Sequence, residues 1–327
     1  MYHHGRGAAK SVRRLHLIFG LTLILAPASS LTPFGTLAML RAPLEQARNP
    51  MQRERIADDV YVFTSERYAQ VTASVIATNA GAVLIDTLVF PEETREIKQF
   101  VETRLRSQVS TIIYTHYHAD HTYGAHFFPE AQVVAHARCY DLLDTRGREA
   151  RAKNASGELA HVALVLPTVV FNRGVLNLRI GGKSFQLWNT PGHSMDSTVI
   201  LLREDRILFA GDTLMPVPYF VDGDYFAFVA SLESLRGCNF ENIVQGHGEV
   251  ILKGEIEEKL GSDLAYMVAI RAAVENAMTQ PDPETLLKSV GIERCGKSRI
   301  LLAGQVNELH QVNLRTLLRQ LAQSATV

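Results

Sequence analysis

Cysteine is scarce in this chain of 327 residues, with only Cys139, Cys238 and Cys295 present. Their odd number and wide spacing argue against a disulfide framework and against a thiolate metal cage. They read as small buried hydrophobes. An excess of one charge is lacking too, since 33 basic residues meet 34 acidic ones. No global field therefore draws nucleic acid or an anionic membrane. Long uninterrupted apolar runs are also missing. The run Leu15–Ala26 (LHLIFGLTLILA) is too short for a comfortable membrane span.

That run has another use. Lys10, Arg13 and Arg14 precede it, and Ala26-Pro27-Ala28 follows with small residues at the spacing of a signal-peptidase site. Residues 1–28 thus read as a secretory signal and 29–55 as a linker, which places the protein in a periplasm or outside the cell. The Arg13-Arg14 pair suits twin-arginine export of a prefolded metalloprotein. The alternative is a membrane anchor through residues 15–44, because apolar residues resume at Leu31. Pro27, Pro33 and Gly35 interrupt that longer stretch.

From Val60 the pattern turns strand-like, with Val60–Thr64, Ala73–Thr78 and Ala82–Asp86 as short β-branched runs. A helix is expected over Pro91–Arg106, with Pro91 in its first turn and Ile97, Phe100, Val101 and Leu105 on one face. Strands are expected at Thr111–Tyr114 and Ala131–His136, and a helix at Ala137–Arg151. Two hairpins follow, Val175–Ile180 with Ser184–Asn189 around Gly181-Gly182, and Thr198–Leu202 with Arg206–Ala210 around Glu204-Asp205. A short helix at Ala230–Arg236, a strand at Asn242–Gln245 and a long helix at Gly254–Met278 complete the pattern. This order predicts an α/β fold, an αβ/βα sandwich of two face-to-face sheets covered by helices. The catalytic domain would span 56–280, and 281–327 would be a helical extension packed on the core.

The chemistry-bearing stretch is HYHADH, residues 116–121, directly after the expected strand Thr111–Tyr114. His116 and His118 share a face if the segment is extended, and Asp120 and His121 join them only if the chain bends there. Gly124 would permit a tight entry into a helix. Imidazole and carboxylate are ligands that suit zinc and related ions. Three further loops carry the same groups after strands: His193 in TPGHS, Asp212 in AGDT and His247 in QGHG. Singly, each has a bland reading as a turn residue. Together with HYHADH they supply what a two-metal site requires.

The motifs HxHxDH, TPGH, GDT and GHG, in this order and spacing, resemble the metallo-β-lactamase superfamily over about residues 58–255. Asp86 in LIDT also matches a recurrent position of that fold. The resemblance implies that His116, His118 and His193 hold one divalent ion. It implies that Asp120, His121 and His247 hold a second, and that Asp212 bridges them. Zinc is the default metal, with iron or manganese as alternatives. Asp120 would both bind metal and orient the attacking hydroxide. True β-lactamases of the family place Cys or Ser where Asp212 stands. The chain is therefore closer to the glyoxalase II-like and lactonase-like members. Flavin-linked di-iron members have a glutamate in place of His118, which argues against a redox role.

These features predict a metal-dependent hydrolase of an ester, thioester or lactone in a small-molecule substrate. Hydrolysis of a β-lactam is the alternative, and a non-catalytic metal-binding protein a more remote one. Met215–Phe228 (MPVPYFVDGDYFAF) has two readings. It either plugs the sandwich core or forms an apolar lip over the metals, with Tyr219 and Tyr225 as substrate-binding residues.

Overall fold

A computed structural model describes residues 51–153 and 157–324. The expected signal, twin-arginine pair and anchor lie outside those residues, as does most of the linker. The end of that linker is not free chain. Residues 52–55 belong to a strand, β1 (Gln52–Ala57), which pairs antiparallel with β2 (Val60–Thr64). The first sheet continues through β3 (Thr72–Thr78) and β4 (Gly81–Ile85), again antiparallel. It then turns parallel through β5 (Val109–Ile113), β6 (Gln132–His136) and β7 (Val169–Phe171). Between β4 and β5 runs α1 (Pro91–Thr103), which buries Ile97, Phe100 and Val101. A short α2 (Ala119–Thr122) follows β5.

After β6 the expected single helix is broken into α3 (Ala137–Leu142), one wide π turn at Leu143–Gly147, and α4 (Arg148–Lys153). The second sheet has six strands in the order β13-β12-β11-β10-β9-β8. These are β8 (Val175–Ile180), β9 (Lys183–Asn189), β10 (Thr198–Leu202), β11 (Ile207–Gly211), β12 (Asn242–Gln245) and β13 (Ile251–Leu252). Only β11 and β12 run parallel in it. Helix α5 (Tyr225–Leu235) starts five residues before the expected Ala230, because Asp224 caps it by accepting from the Ala227 N–H at 2.7 Å. The long α6 (Ile256–Met278) follows β13.

Alternation of side chains along the strands builds the layers. Val83 and Ile85 of β4 meet Ile207 and Phe209 of β11 in an apolar layer shared by both sheets. Their neighbours Ala82 and Leu84 point the other way and pack beneath α1. Leu208 and Ala210 likewise face a third cluster formed with α5 and α6. Each fully buried Val, Leu, Ile or Phe side chain among these contributes about 1.5–3 kcal/mol.

The third cluster also takes in the chain's end. Helix α7 (Pro283–Lys288) supplies Leu287, and α8 (Val306–Ser324) supplies Val306, Leu309, Leu314 and Leu317. Those positions on α8 recur at helical spacing, so one face of the helix is buried on α6. Among the described residues, no helix is long and apolar enough to cross a membrane. Two cysteines are buried as expected, whereas Cys238 is exposed just beyond α5.

Candidate metal centre

The four motif loops leave β5, β9, β11 and β12 at their carboxyl ends. His118 still has extended backbone (φ −62°, ψ 151°) as the residue before α2, so it stays beside His116. The bend that Asp120 and His121 need comes from the first turn of α2. Gly124 is thus not the entry point expected for it. It packs against the Asp86–Leu88 turn, where a Cβ would stand 2.2 Å from the Thr87 carbonyl. On β11 a bulge shifts the register between Phe209 and Gly211. Gly211 there has φ +48°, and a Cβ would meet Thr115 at 2.6 Å. Asp212 is delivered next to His247 by this parallel pair.

The ligand atoms converge in two groups, each within 4.8 Å: His116, His118, His193 and Asp212, then Asp120, His121 and His247. His118 Nδ1 lies 3.0 Å from His116 Nε2 and 2.9 Å from His193 Nε2. Asp212 spans both groups. Its Oδ2 is 3.3 Å from His193 Nε2 and 3.4 Å from His247 Nε2, and its Oδ1 is 3.3 Å from His121 Nε2. Asp120 Oδ2 lies 3.3 Å from His247 Nε2 and 3.6 Å from His121 Nε2. All seven side chains are buried.

The outer atoms of the histidines settle which nitrogen faces inward. His193 Nδ1–H donates to the Tyr219 carbonyl at 2.6 Å, and His247 Nδ1–H to the Ala69 carbonyl at 2.8 Å. His121 Nδ1 meets Asp86 Oδ2 at 2.8 Å, and His118 Nε2 meets Asp222 Oδ2 at 3.1 Å. Thr115 Oγ1 gives its proton to Asp86 Oδ2 at 2.7 Å, so it must accept from His116 Nδ1 at 3.0 Å. With these outer bonds made, the inner nitrogen of each imidazole is the one left for a metal, and it offers a lone pair once any proton it carries is lost. His121 Nε2 and Asp212 Oδ1 are buried 3.3 Å apart without making a hydrogen bond to each other or to any other described group. Orphaned atoms of this kind are costly in a closed core, and a cation in each group satisfies them. The donor set fits two divalent ions.

Electrostatics point the same way. Burial pushes the His193 imidazole down to about 4. Burial also opposes charge on His247, but Asp212 and Asp120 outweigh it and lift that ring to about 10. Burial raises Asp120, yet His121 and His247 pull it down to about 2. The carboxylates thus stay ionised and recruit protons onto neighbouring rings when no stronger cation is there.

Asp86 holds two of the supporting bonds. It also accepts the Thr115 N–H at 2.8 Å and adopts φ +56°, a left-handed conformation that Asp tolerates better than most residues. Asp222 had no signal in the sequence beyond a turn-like VDGD. Its other neighbours are the Tyr117 hydroxyl, which donates at 2.8 Å, and the Arg146 guanidinium of the π turn at 3.8 Å. Ala69 and Gln70 both have positive φ, and Gln70 accepts the Gly248 N–H at 2.9 Å. Tyr68, next to that turn, is buried close enough to the site to feel its carboxylates. Burial, then Asp120 and Asp212, raises the Tyr68 phenol well above its usual range.

The loop 215–228 is mostly core. Met215, Val217, Phe220 and Phe228 join the α5–α6 cluster. Tyr225 is engaged elsewhere: its hydroxyl donates to the Met267 carbonyl on α6 at 3.0 Å, which speaks against the substrate contact expected of it. Tyr219 stays beside the site, its ring 6.0 Å from that of His193.

The sequence profile of the Metallo-beta-lactamase superfamily matches residues 67–273. Among curated proteins, the chain is 28% identical over 189 residues to the 2,4-dinitroanisole O-demethylase subunit alpha of Nocardioides sp., covering 56% of this chain and 54% of that one. It is 28% identical over 182 residues to the thioesterase pkgB of Emericella nidulans, covering 54% and 46%. The chain thus spans about half the length of these relatives. A metallo-beta-lactamase family protein of Thermus thermophilus superposes with a TM-score of 0.60 at 19% identity, over 80% of this chain and 94% of that one.

Proposed function

This chain belongs to the metallo-beta-lactamase superfamily, and from that premise we propose a hydrolase, a binuclear enzyme cleaving an ester, thioester or lactone of a small substrate. The observation that carries this reading is Asp212, whose two oxygens address both ligand groups. Two divalent ions held there would lower the pKa of a shared water toward neutrality and polarise the substrate carbonyl. Zinc suits these donors, and iron or manganese share the same preferences.

The chain's own residues then have defined tasks. His116, His118 and His193 would supply three neutral nitrogens to one ion, and His121 and His247 two nitrogens and Asp120 a carboxylate oxygen to the other. Asp120, held ionised, accepts a hydrogen bond from the attacking water and orients it. The proton the water gives up would end on the alkoxide or thiolate that leaves. Tyr68 and Tyr219 keep their phenolic protons. Burial raises both, and nearby carboxylates add to it, Asp120 and Asp212 at Tyr68 and Asp222 at Tyr219. They are the phenolic donors beside the site for substrate oxygen. The thioesterase relative supports acyl transfer to water as the reaction class.

A panel of aryl esters, thioesters, lactones and a nitrocefin-type β-lactam, run on metal-loaded protein beside Asp212→Cys, tests the assignment. The wild type should show its highest kcat/KM on an ester, thioester or lactone. A β-lactam rate above every one of these would overturn it.

A further inference from the structure

Helix α8 lies wholly outside the matched residues 67–273, yet two of its side chains reach the loop behind the three-histidine group. Asn313 is fully buried. Its Nδ2 donates to the Pro218 carbonyl at 2.6 Å, and its Oδ1 accepts the Phe220 N–H at 3.2 Å. These two bonds flank Tyr219, as a neighbouring strand would. Since a carbonyl only accepts and an N–H only donates, the amide has one orientation. Gln320, two turns further along the same face, repeats the pattern. Its Nε2 donates to the Gly223 carbonyl at 3.0 Å, and its Oε1 accepts the Tyr225 N–H at 3.1 Å.

Between these two grips the loop presents the groups that orient two ligands. The Tyr219 carbonyl accepts a hydrogen bond from His193 Nδ1–H, and the Asp222 carboxylate accepts one from His118 Nε2–H. There is no slack in the connection. The Asp224 N–H donates to the Gly192 carbonyl at 3.1 Å, and a Cβ on Gly223 would stand 1.7 Å from that same oxygen. Asn313 is itself held. Its Nδ2 also donates to the Tyr266 hydroxyl at 3.1 Å, which donates to His310 Nδ1 at 3.0 Å, while His310 Nε2–H donates to the Val290 carbonyl at 3.0 Å. Donation therefore runs outward from Asn313, to the Pro218 carbonyl of the loop on one side and through Tyr266 and His310 to the Val290 carbonyl on the other.

We propose that α8 is a positioning element for the three-histidine metal site, with Asn313 and Gln320 fixing the 218–225 loop that orients His193 and His118. This rests on the reading of those histidines as metal ligands. Groups that orient ligating histidines typically carry about 10–100-fold in metal affinity, and α8 acts through them.

The test loads wild type, Asn313→Asp and Gln320→Ala with cobalt(II). It then follows the d–d absorption and the release of each ion to a chelator, with circular dichroism to confirm folding. Asn313→Asp keeps the acceptor for Phe220 but sets an oxygen against the Pro218 carbonyl. One of the two ions should leave each variant at least about 10-fold faster, with an altered d–d band, while the other ion leaves at the wild-type rate. Folded variants with wild-type spectra and release rates would overturn the proposal. Should neither variant fold, hydrogen exchange on the wild type decides, because coupling is reciprocal. Removing the metals should raise exchange in 306–324 as well as in 216–225, and unchanged protection of α8 would overturn the role. A wild type that takes up no cobalt would instead refute the metal reading itself, and this role with it.

Discussion

Gly246 shows how little room the bridging carboxylate has. A Cβ there would stand 1.9 Å from Asp212 Oδ1, and the Gly246 N–H is already fixed by the Gly211 and Leu214 carbonyls. Gly246→Ala should therefore displace Asp212 and lower kcat/KM by about 100-fold or more, while circular dichroism stays native, as a shift near 1 Å at a catalytic group does. Retained activity would show that Asp212 has freedom its neighbours do not suggest. The histidines make a second prediction, on pH. His247 is raised from about 6.5 unfolded to about 10 folded in the metal-free chain. Its protonated form stabilises that chain fully below the unfolded value, and the contribution is lost as pH rises through the folded one. A metal needs the ring unprotonated, so loading releases this proton and tightens as pH rises. The gap in Tm between zinc-loaded and chelator-treated protein should widen from pH 6 to 8.5, and a narrowing gap would contradict the assignment. The ligands themselves were legible because metal binding demands particular residue types at strand ends. Their supports were not, because the Ala69 and Tyr219 carbonyls are groups any residue supplies.

Elements were legible where burial leaves a pattern. Strand β12 falls at Asn242–Gln245 as expected, its central Ile243 and Val244 buried in opposite apolar layers. Strand β1, QRERIA, carries charges along an exposed edge and so lacks the alternation that marks a half-buried strand. The break in the helix after β6 was equally silent, because a π turn keeps the local composition of a helix. For the loop 215–228, aromatic content alone fits a plug and a lip equally well. Only contacts separate Tyr225, tied to α6, from Tyr219 at the site. The carboxyl-terminal helix makes its own prediction. Leu317 is fully buried in the cluster shared with α5 and α6. Leu317→Ala should cost about 2–5 kcal/mol in urea unfolding of the zinc-loaded protein. A cost below about 0.5 kcal/mol, the usual effect of a surface change, would mean that α8 is only loosely attached.

At the scale of the molecule, the two-sheet sandwich is a scaffold of near-balanced charge with its chemistry at one rim. The sheets are tied together there by backbone bonds, Thr198 N–H to the Thr115 carbonyl at 2.9 Å and Thr72 N–H to the Gly246 carbonyl at 2.8 Å. Ligands from both sheets can then share ions without either sheet moving. The central claim is that this rim holds two ions joined by Asp212. Elemental analysis of zinc-supplemented protein, wild type beside Asp212→Ala, tests it most directly. About two ions per chain are expected in the wild type, matching the two ligand groups, and about one in the variant, retained by His116, His118 and His193. A wild type that stays at one ion or fewer after supplementation would contradict it.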